Sequence, residues 1–83
     1  MNAVIYSKDG CGFCVAAKNL LDQKGISYVE YNISTQPDKR TELLEAASRE
    51  NVVPRTVPQI WLNNKYIGGY DKLALFFSEV IDK

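Results

Sequence analysis

The chain has 83 residues, 46% of them apolar, enough for one hydrophobic core but close to the size at which cores are thin, so residues 1–83 are expected to form a single domain. Its 10 Lys and Arg balance 10 Asp and Glu, and no block of like charge occurs, which argues against nucleic acid or a membrane surface as partner. The start of the chain lacks the basic and apolar pattern of a signal peptide, and no apolar run is long enough to span a bilayer, so the expected location is the cytoplasm. Histidine is absent, which excludes Cys-His nucleophilic pairs, Ser-His-Asp triads and histidine metal ligands built from this chain alone.

In chain order, Ala3-Val4-Ile5-Tyr6 reads as a short apolar strand. A helix follows, on which Phe13, Ala17, Leu20 and Leu21 recur at helical spacing until Lys24-Gly25 ends it. Ser27 to Ile33 alternates, with Val29, Tyr31 and Ile33 on one face and Tyr28 and Glu30 on the other, so a second strand closes a βαβ unit whose strands run parallel. Ser34-Thr35 offers N-cap chemistry and Pro37 suits a first helical turn. Leu43, Leu44, Ala46 and Ala47 then give a second helix an apolar stripe that ends near Asn51. Pro54 cannot continue that helix. Gln59–Leu62 and Lys65–Ile67 are two short strands joined antiparallel at Asn63-Asn64, a pair that tolerates the positive φ of a tight hairpin. After Gly68-Gly69, a last amphipathic helix is marked by Leu73, Phe76, Phe77, Val80 and Ile81.

Between the first strand and the first helix stands Cys11-Gly12-Phe13-Cys14, which holds the only two cysteines of the chain. A purely structural disulfide across so short a loop removes little entropy from the unfolded chain. Zinc needs four ligands, and two cysteines without histidine reach that number only in a dimer. Two buried, inert cysteines are the other bland reading. Thiol–disulfide chemistry fits the placement better. Free N–H groups and the positive end of the helix dipole favour a thiolate at Cys11, and Cys14, three residues on, lies on the same face and can resolve a mixed disulfide. Lys8 adds positive charge nearby, whereas Asp9 opposes it unless solvent screens the carboxylate.

Three motifs in order carry a resemblance over nearly the whole chain: Lys8-x-x-Cys11-x-x-Cys14, then Thr56-Val57-Pro58, then Gly68-Gly69-Tyr70-Asp71. Together they resemble the glutaredoxins of the thioredoxin fold, the small dithiol type of bacteria and their viruses in particular. The resemblance implies an α/β fold with a four-stranded mixed sheet in order 2-1-3-4 flanked by three helices. It also implies a cis bond before Pro58 that brings the Val57 backbone beside the Cys11 sulfur, where an extended substrate could pair with it. Glutathione is the implied reductant. The N–H groups of Tyr70 and Asp71 after Gly69 would take its γ-glutamyl carboxylate, the Asp71 side chain its ammonium, and Lys8 and Arg55 its glycyl carboxylate. Phe13, Thr56, Val57 and Pro58 complete the implied glutathione site.

The expected activity is therefore glutathione-dependent reduction of protein disulfides and glutathione mixed disulfides by a monomer. Cys11 and Cys14 are the catalytic residues, no cofactor is permanently bound, and ribonucleotide reductase is a client by family analogy. Two rivals share the motif. One is a thioredoxin-like reductant recharged by a flavin disulfide reductase. The other is an iron–sulfur carrier in which Cys11 of two chains and two glutathiones hold a cluster. Gly12 and Phe13 stand where the commonest dithiol motif has Pro and Tyr, so the loop is less rigid and lacks an aromatic hydroxyl. Tyr70 and Lys72 replace residues that are often Cys and Asp, which removes one acidic contact.

Overall fold

A computed structural model describes residues 1–81, with side chains described as far as Ser78, so the stripe positions Val80 and Ile81 lie outside the described side chains. The elements run β1 (Asn2–Ser7), α1 (Gly12–Gln23), β2 (Ser27–Asn32), α2 (Pro37–Ser48), β3 (Gln59–Leu62), β4 (Lys65–Gly68) and α3 (Tyr70–Ile81). One sheet forms in the order β2-β1-β3-β4. β1 pairs parallel with β2 and antiparallel with β3, and β3 pairs antiparallel with β4. This is the mixed sheet with three flanking helices expected from the sequence. The hairpin turn falls at Asn63 and Asn64, with φ of 50° and 66°, the left-handed values that a two-residue turn demands and asparagine tolerates.

The central strands are buried on both faces because helices cover both sides of the sheet. On one side Ala3 and Ile5 of β1 and Ile60 and Leu62 of β3 pack with Ala17 and Leu21 of α1 and with Leu73 and Phe77 of α3. On the other, Tyr6 and Trp61 pack with Leu43 and Ala47 of α2. Consecutive residues of β1 thus feed opposite cores, as the two-residue repeat of a strand requires. Both cores leave the ends of β1 and β3 pointing at the Cys11 loop and the Val57–Pro58 segment, which sit side by side.

Four details depart from the sequence reading. Ser34 and Thr35 do not cap α2. Their N–H groups donate to Asn32 Oδ1 at 2.8 and 3.3 Å, so a local asparagine turn captures them, and Gln36 becomes the N-cap with no side-chain cap bond. α2 stops at Ser48 rather than near Asn51, because Asn51 takes φ 59° and the Val52 N–H returns to the Ala47 carbonyl at 3.0 Å. Phe13 is not core. It is 67% exposed and stacks on Tyr70 at 6.0 Å, whereas Cys14 on the same turn of α1 is buried. Leu44, on the flank of the α2 stripe, is exposed as well.

Candidate functional site

Cys11 is the N-cap of α1, with extended backbone at φ −99° and ψ 104°. Its Sγ accepts the Cys14 N–H at 3.1 Å, the capping interaction that an oxygen of Ser or Asp makes at ordinary helix starts. A thiolate gains more from that N–H and from the helix dipole than a thiol does, so the local fold itself favours a nucleophile here. Cys11 and Cys14 form a disulfide, with Cα atoms 5.2 Å apart. Cys14 is only 2% exposed, whereas Cys11 is partly open to solvent. Attack from outside therefore reaches Cys11 and not Cys14. The Val57–Pro58 bond is cis, and Cys11 Sγ lies 3.7 Å from the Val57 carbonyl oxygen.

Two cavities meet at this point. A groove of about 400 Å³ is lined by Phe13, Thr56, Val57, Pro58, Gly69, Tyr70 and Asp71. A second, of about 350 Å³, shares Thr56 and Val57 and carries Lys8, Arg40 and Arg55 among its walls. The nine residues implied for glutathione line these two cavities, which share Val57, whose carbonyl lies 3.7 Å from Cys11 Sγ. At the far end of the first groove, the Lys72 N–H donates to Asp71 Oδ1 at 3.0 Å and the Leu73 N–H to the Gly69 carbonyl at 3.0 Å. Among the described residues, the Tyr70 and Asp71 N–H groups have no partner within the chain, as the first donors of a helix do not. The site is consequently bipolar, with three cations at one end and a carboxylate beside bare N–H groups at the other.

Gly68 and Gly69 play different parts. Gly68 has φ +120°, a conformation side chains rarely adopt, whereas Gly69 lies close against the Pro58 carbonyl, which a Cβ would approach to 3.5 Å. Asp9, the acidic residue expected to oppose a Cys11 thiolate, is engaged by β2 and the turn after it. Its carboxylate accepts from Asn32 Nδ2 at 2.9 Å, and its N–H donates to Ser34 Oγ at 3.1 Å.

Sequence reasoning missed two features. Arg40 joins Lys8 and Arg55 because it sits one helical turn before Leu43 and Leu44, on the same flank of α2, a spacing visible in the sequence. Behind the cysteines, a third cavity of about 480 Å³ is lined by Cys11, Cys14, Lys18 and Glu30, among others. There Glu30 accepts from the buried Ser7 hydroxyl at 2.6 Å and pairs with Lys18 Nζ at 3.1 Å. The Ser7 hydrogen bond, then Lys18, hold the Glu30 carboxyl below its ordinary range against the opposing effect of burial. The available signal was the alternation on β2, which puts Glu30 on the face of Tyr28; only the packing of Tyr28 against the α1 core shows that this face is covered.

Comparison with known proteins identifies the family. The glutaredoxin family model matches residues 3–67. Glutaredoxin 3 of Escherichia coli is 40% identical over 72 residues, covering 87% of this chain and 81% of its own. The structure of reduced Escherichia coli glutaredoxin superposes with a TM-score of 0.78 at 30% identity over the full length of both chains. A buckwheat glutaredoxin solved as a glutathione complex gives a TM-score of 0.74 at 30% identity, covering 93% of this chain and 68% of that one. With its C-x-x-C pair at disulfide distance on a thioredoxin-like fold, the chain is a thiol–disulfide oxidoreductase and belongs to the glutaredoxin family.

Proposed function

We propose that the reductant of this oxidoreductase is glutathione and that its substrates are glutathione mixed disulfides and protein disulfides. The observation that carries the reading is the bipolar pair of cavities that meet at Val57, whose carbonyl lies 3.7 Å from Cys11 Sγ. Glutathione has a carboxylate and an ammonium at its γ-glutamyl end and one carboxylate at its glycyl end, which complements Tyr70 and Asp71 on one side and Lys8, Arg40 and Arg55 on the other. The relative solved with glutathione supports this assignment by its fold and 30% identity. On a glutathione mixed disulfide, the Cys11 thiolate attacks the glutathione sulfur, forms a Cys11–glutathione disulfide and expels the substrate thiolate. A second glutathione thiolate then attacks that glutathione sulfur, releasing oxidised glutathione and restoring Cys11.

On a protein disulfide, Cys11 forms a mixed disulfide with one client sulfur and the other leaves as a thiolate. Cys14 loses its proton and attacks Cys11 Sγ, expelling the second client thiolate. Two electrons have passed to the client, and the Cys11–Cys14 disulfide remains for two glutathiones to reduce. One chain supplies both sulfurs, so the protein works as a monomer. Its setting is the reducing cytoplasm, where a C-x-x-C can cycle, and ribonucleotide reductase is a candidate client.

The test supplies purified protein and a mixed-disulfide substrate with either glutathione and its reductase or thioredoxin reductase. Turnover is expected with the first system. Recharging by thioredoxin reductase alone would transfer the function to a thioredoxin-like reductant. A stable iron–sulfur chromophore after anaerobic reconstitution with glutathione, lost in Cys11→Ser, would promote a cluster carrier instead.

A further inference from the structure

Beyond the cationic cavity the surface continues as an apolar groove of about 330 Å³, lined by Leu44, Ser48, Asn51, Val52, Val53 and Pro54. The two cavities share Leu44 and Pro54, so they form one track leading away from Val57. Val53 is 77% exposed and Leu44 43%, which leaves two large apolar side chains in solvent on the walls of this groove. No carboxylate lines either cavity among the described residues, whereas Lys8, Arg40 and Arg55 line the first. The stretch from Val53 to Val57 lies in neither helix nor strand, and among the described residues its backbone makes no hydrogen bond to other backbone. The Thr56 carbonyl accepts from Gln59 Nε2 at 2.9 Å and Pro54 has no N–H, but the N–H groups of Val53, Arg55, Thr56 and Val57 and the carbonyls of Val53, Pro54 and Arg55 have no partner among the described residues, and such groups are what an added extended segment pairs with.

We propose that this track docks an extended segment of a client protein that is acidic directly after its reactive cysteine and apolar three to four residues beyond it. The inference rests on the disulfide-reducing function and the glutathione orientation proposed above and names the client chemistry. Glutathione fixes the direction, since the residue after its cysteine carries the carboxylate that the cations attract. Opposite Val57, a client cysteine would send its following residues along Thr56, Arg55, Pro54 and Val53. An extended chain advances roughly 3.4 Å per residue, so Val53 is met about four residues after the cysteine. Glutathione has a single residue there and ends at the cations. The apolar half of the track is therefore unused by glutathione and open to a longer chain.

The test uses disulfide-linked homodimers of three peptides: Cys-Glu-Gly-Leu-Leu, Cys-Lys-Gly-Leu-Leu and Cys-Glu-Gly-Ser-Ser. Pre-reduced protein is mixed with each in single turnover, and released peptide thiol is followed by chromatography. The Cys11 thiolate takes one peptide sulfur and frees the other as thiolate, and Cys14 then frees the second. The rate constant per concentration for the Glu-Leu peptide is expected to exceed that of the Lys peptide by about ten-fold and that of the Ser peptide by about five-fold. Val53→Ser, an exposed change that leaves the core intact, should abolish the Leu-over-Ser preference and leave turnover of a small glutathione mixed disulfide unaltered. Equal rates for the three peptides, or a Leu-over-Ser preference that survives Val53→Ser, would overturn the proposal. So would a dimer in sedimentation that Val53→Ser dissolves, because a second copy would then own the patch. Single turnover needs no glutathione, so failure of the peptide ranking is distinguishable from failure of the glutathione assignment.

Discussion

At the residue scale, the asymmetry between the two sulfurs decides the chemistry. Cys11 is reachable and capped by an N–H, whereas Cys14 is buried on the inner face of α1. Cys11→Ser is expected to abolish turnover of every substrate. Cys14→Ser should keep reduction of glutathione mixed disulfides and lose most reduction of protein disulfides, in a steady-state assay of both substrates. Equal loss on the mixed disulfide would exclude the one-cysteine route. The charged ends of the groove make a second, graded prediction. Losing one charge-assisted hydrogen bond at an open site should raise the KM for glutathione roughly ten-fold in Asp71→Ala and roughly three- to ten-fold in Arg40→Ala, with kcat changing less. Added salt should imitate part of both effects, because the groups are open to solvent.

At the scale of the elements, the link between α1 and β2 is electrostatic, and it sits directly behind the cysteines. Glu30 on β2 receives the Ser7 hydroxyl of β1 and the Lys18 ammonium of α1, so its carboxyl loses a proton more readily folded than unfolded. A depressed carboxyl stabilises the fold above its unfolded value and loses that contribution as acid protonates it. The gap in Tm between the wild type and Glu30→Gln should accordingly be open at about pH 7 and narrow as pH falls below the ordinary value of 4.5. A gap independent of pH would mean that the pairing carries no charge dependence. The passage from β4 to α3 depends on backbone conformation instead. Gly68→Ala would hold a Cβ at φ +120° and bring it within 3.1 Å of Lys72 Cγ, which should cost about 1–3 kcal/mol in urea unfolding, well beyond what the same change at Gly12 costs. Gly12 has open space around it and ordinary φ.

At the scale of the whole molecule, stability comes from two thin cores on opposite faces of one small sheet, and neither can spare much. Leu21 is 0% exposed at the α1 contact with the sheet, so Leu21→Ala should cost about 2–5 kcal/mol, a large share of the total for a domain of this size. Leu75, 51% exposed, should tolerate the same change within about 0.5 kcal/mol. Chemical denaturation followed by Trp61 fluorescence separates the two. Trp61 is suited to it because it is buried between Tyr6 and Tyr66, at centroid distances of 5.6 and 4.9 Å.

The sequence alone determined the order of the elements, the parallel βαβ unit, the Asn63-Asn64 hairpin and the identity of the reactive pair, because each rests on short-range rules of periodicity, turn conformation and helix-start electrostatics. It could not fix which members of an apolar stripe face the sheet, so Phe13 and Leu44, both on helical apolar spacings, stand in solvent. Nor could local pattern foresee that Asn32 would take the N–H groups of Ser34 and Thr35, leaving α2 without their caps. The cis peptide beside Cys11 was legible only through the three-motif resemblance. The convergence of Lys8, Arg40 and Arg55, and of Ser7, Lys18 and Glu30 behind the sulfurs, joins residues from separate elements. Those groups meet only when β1, β2 and the helices pack, since a charge carries no information about its distant partner until the sheet sets the distance.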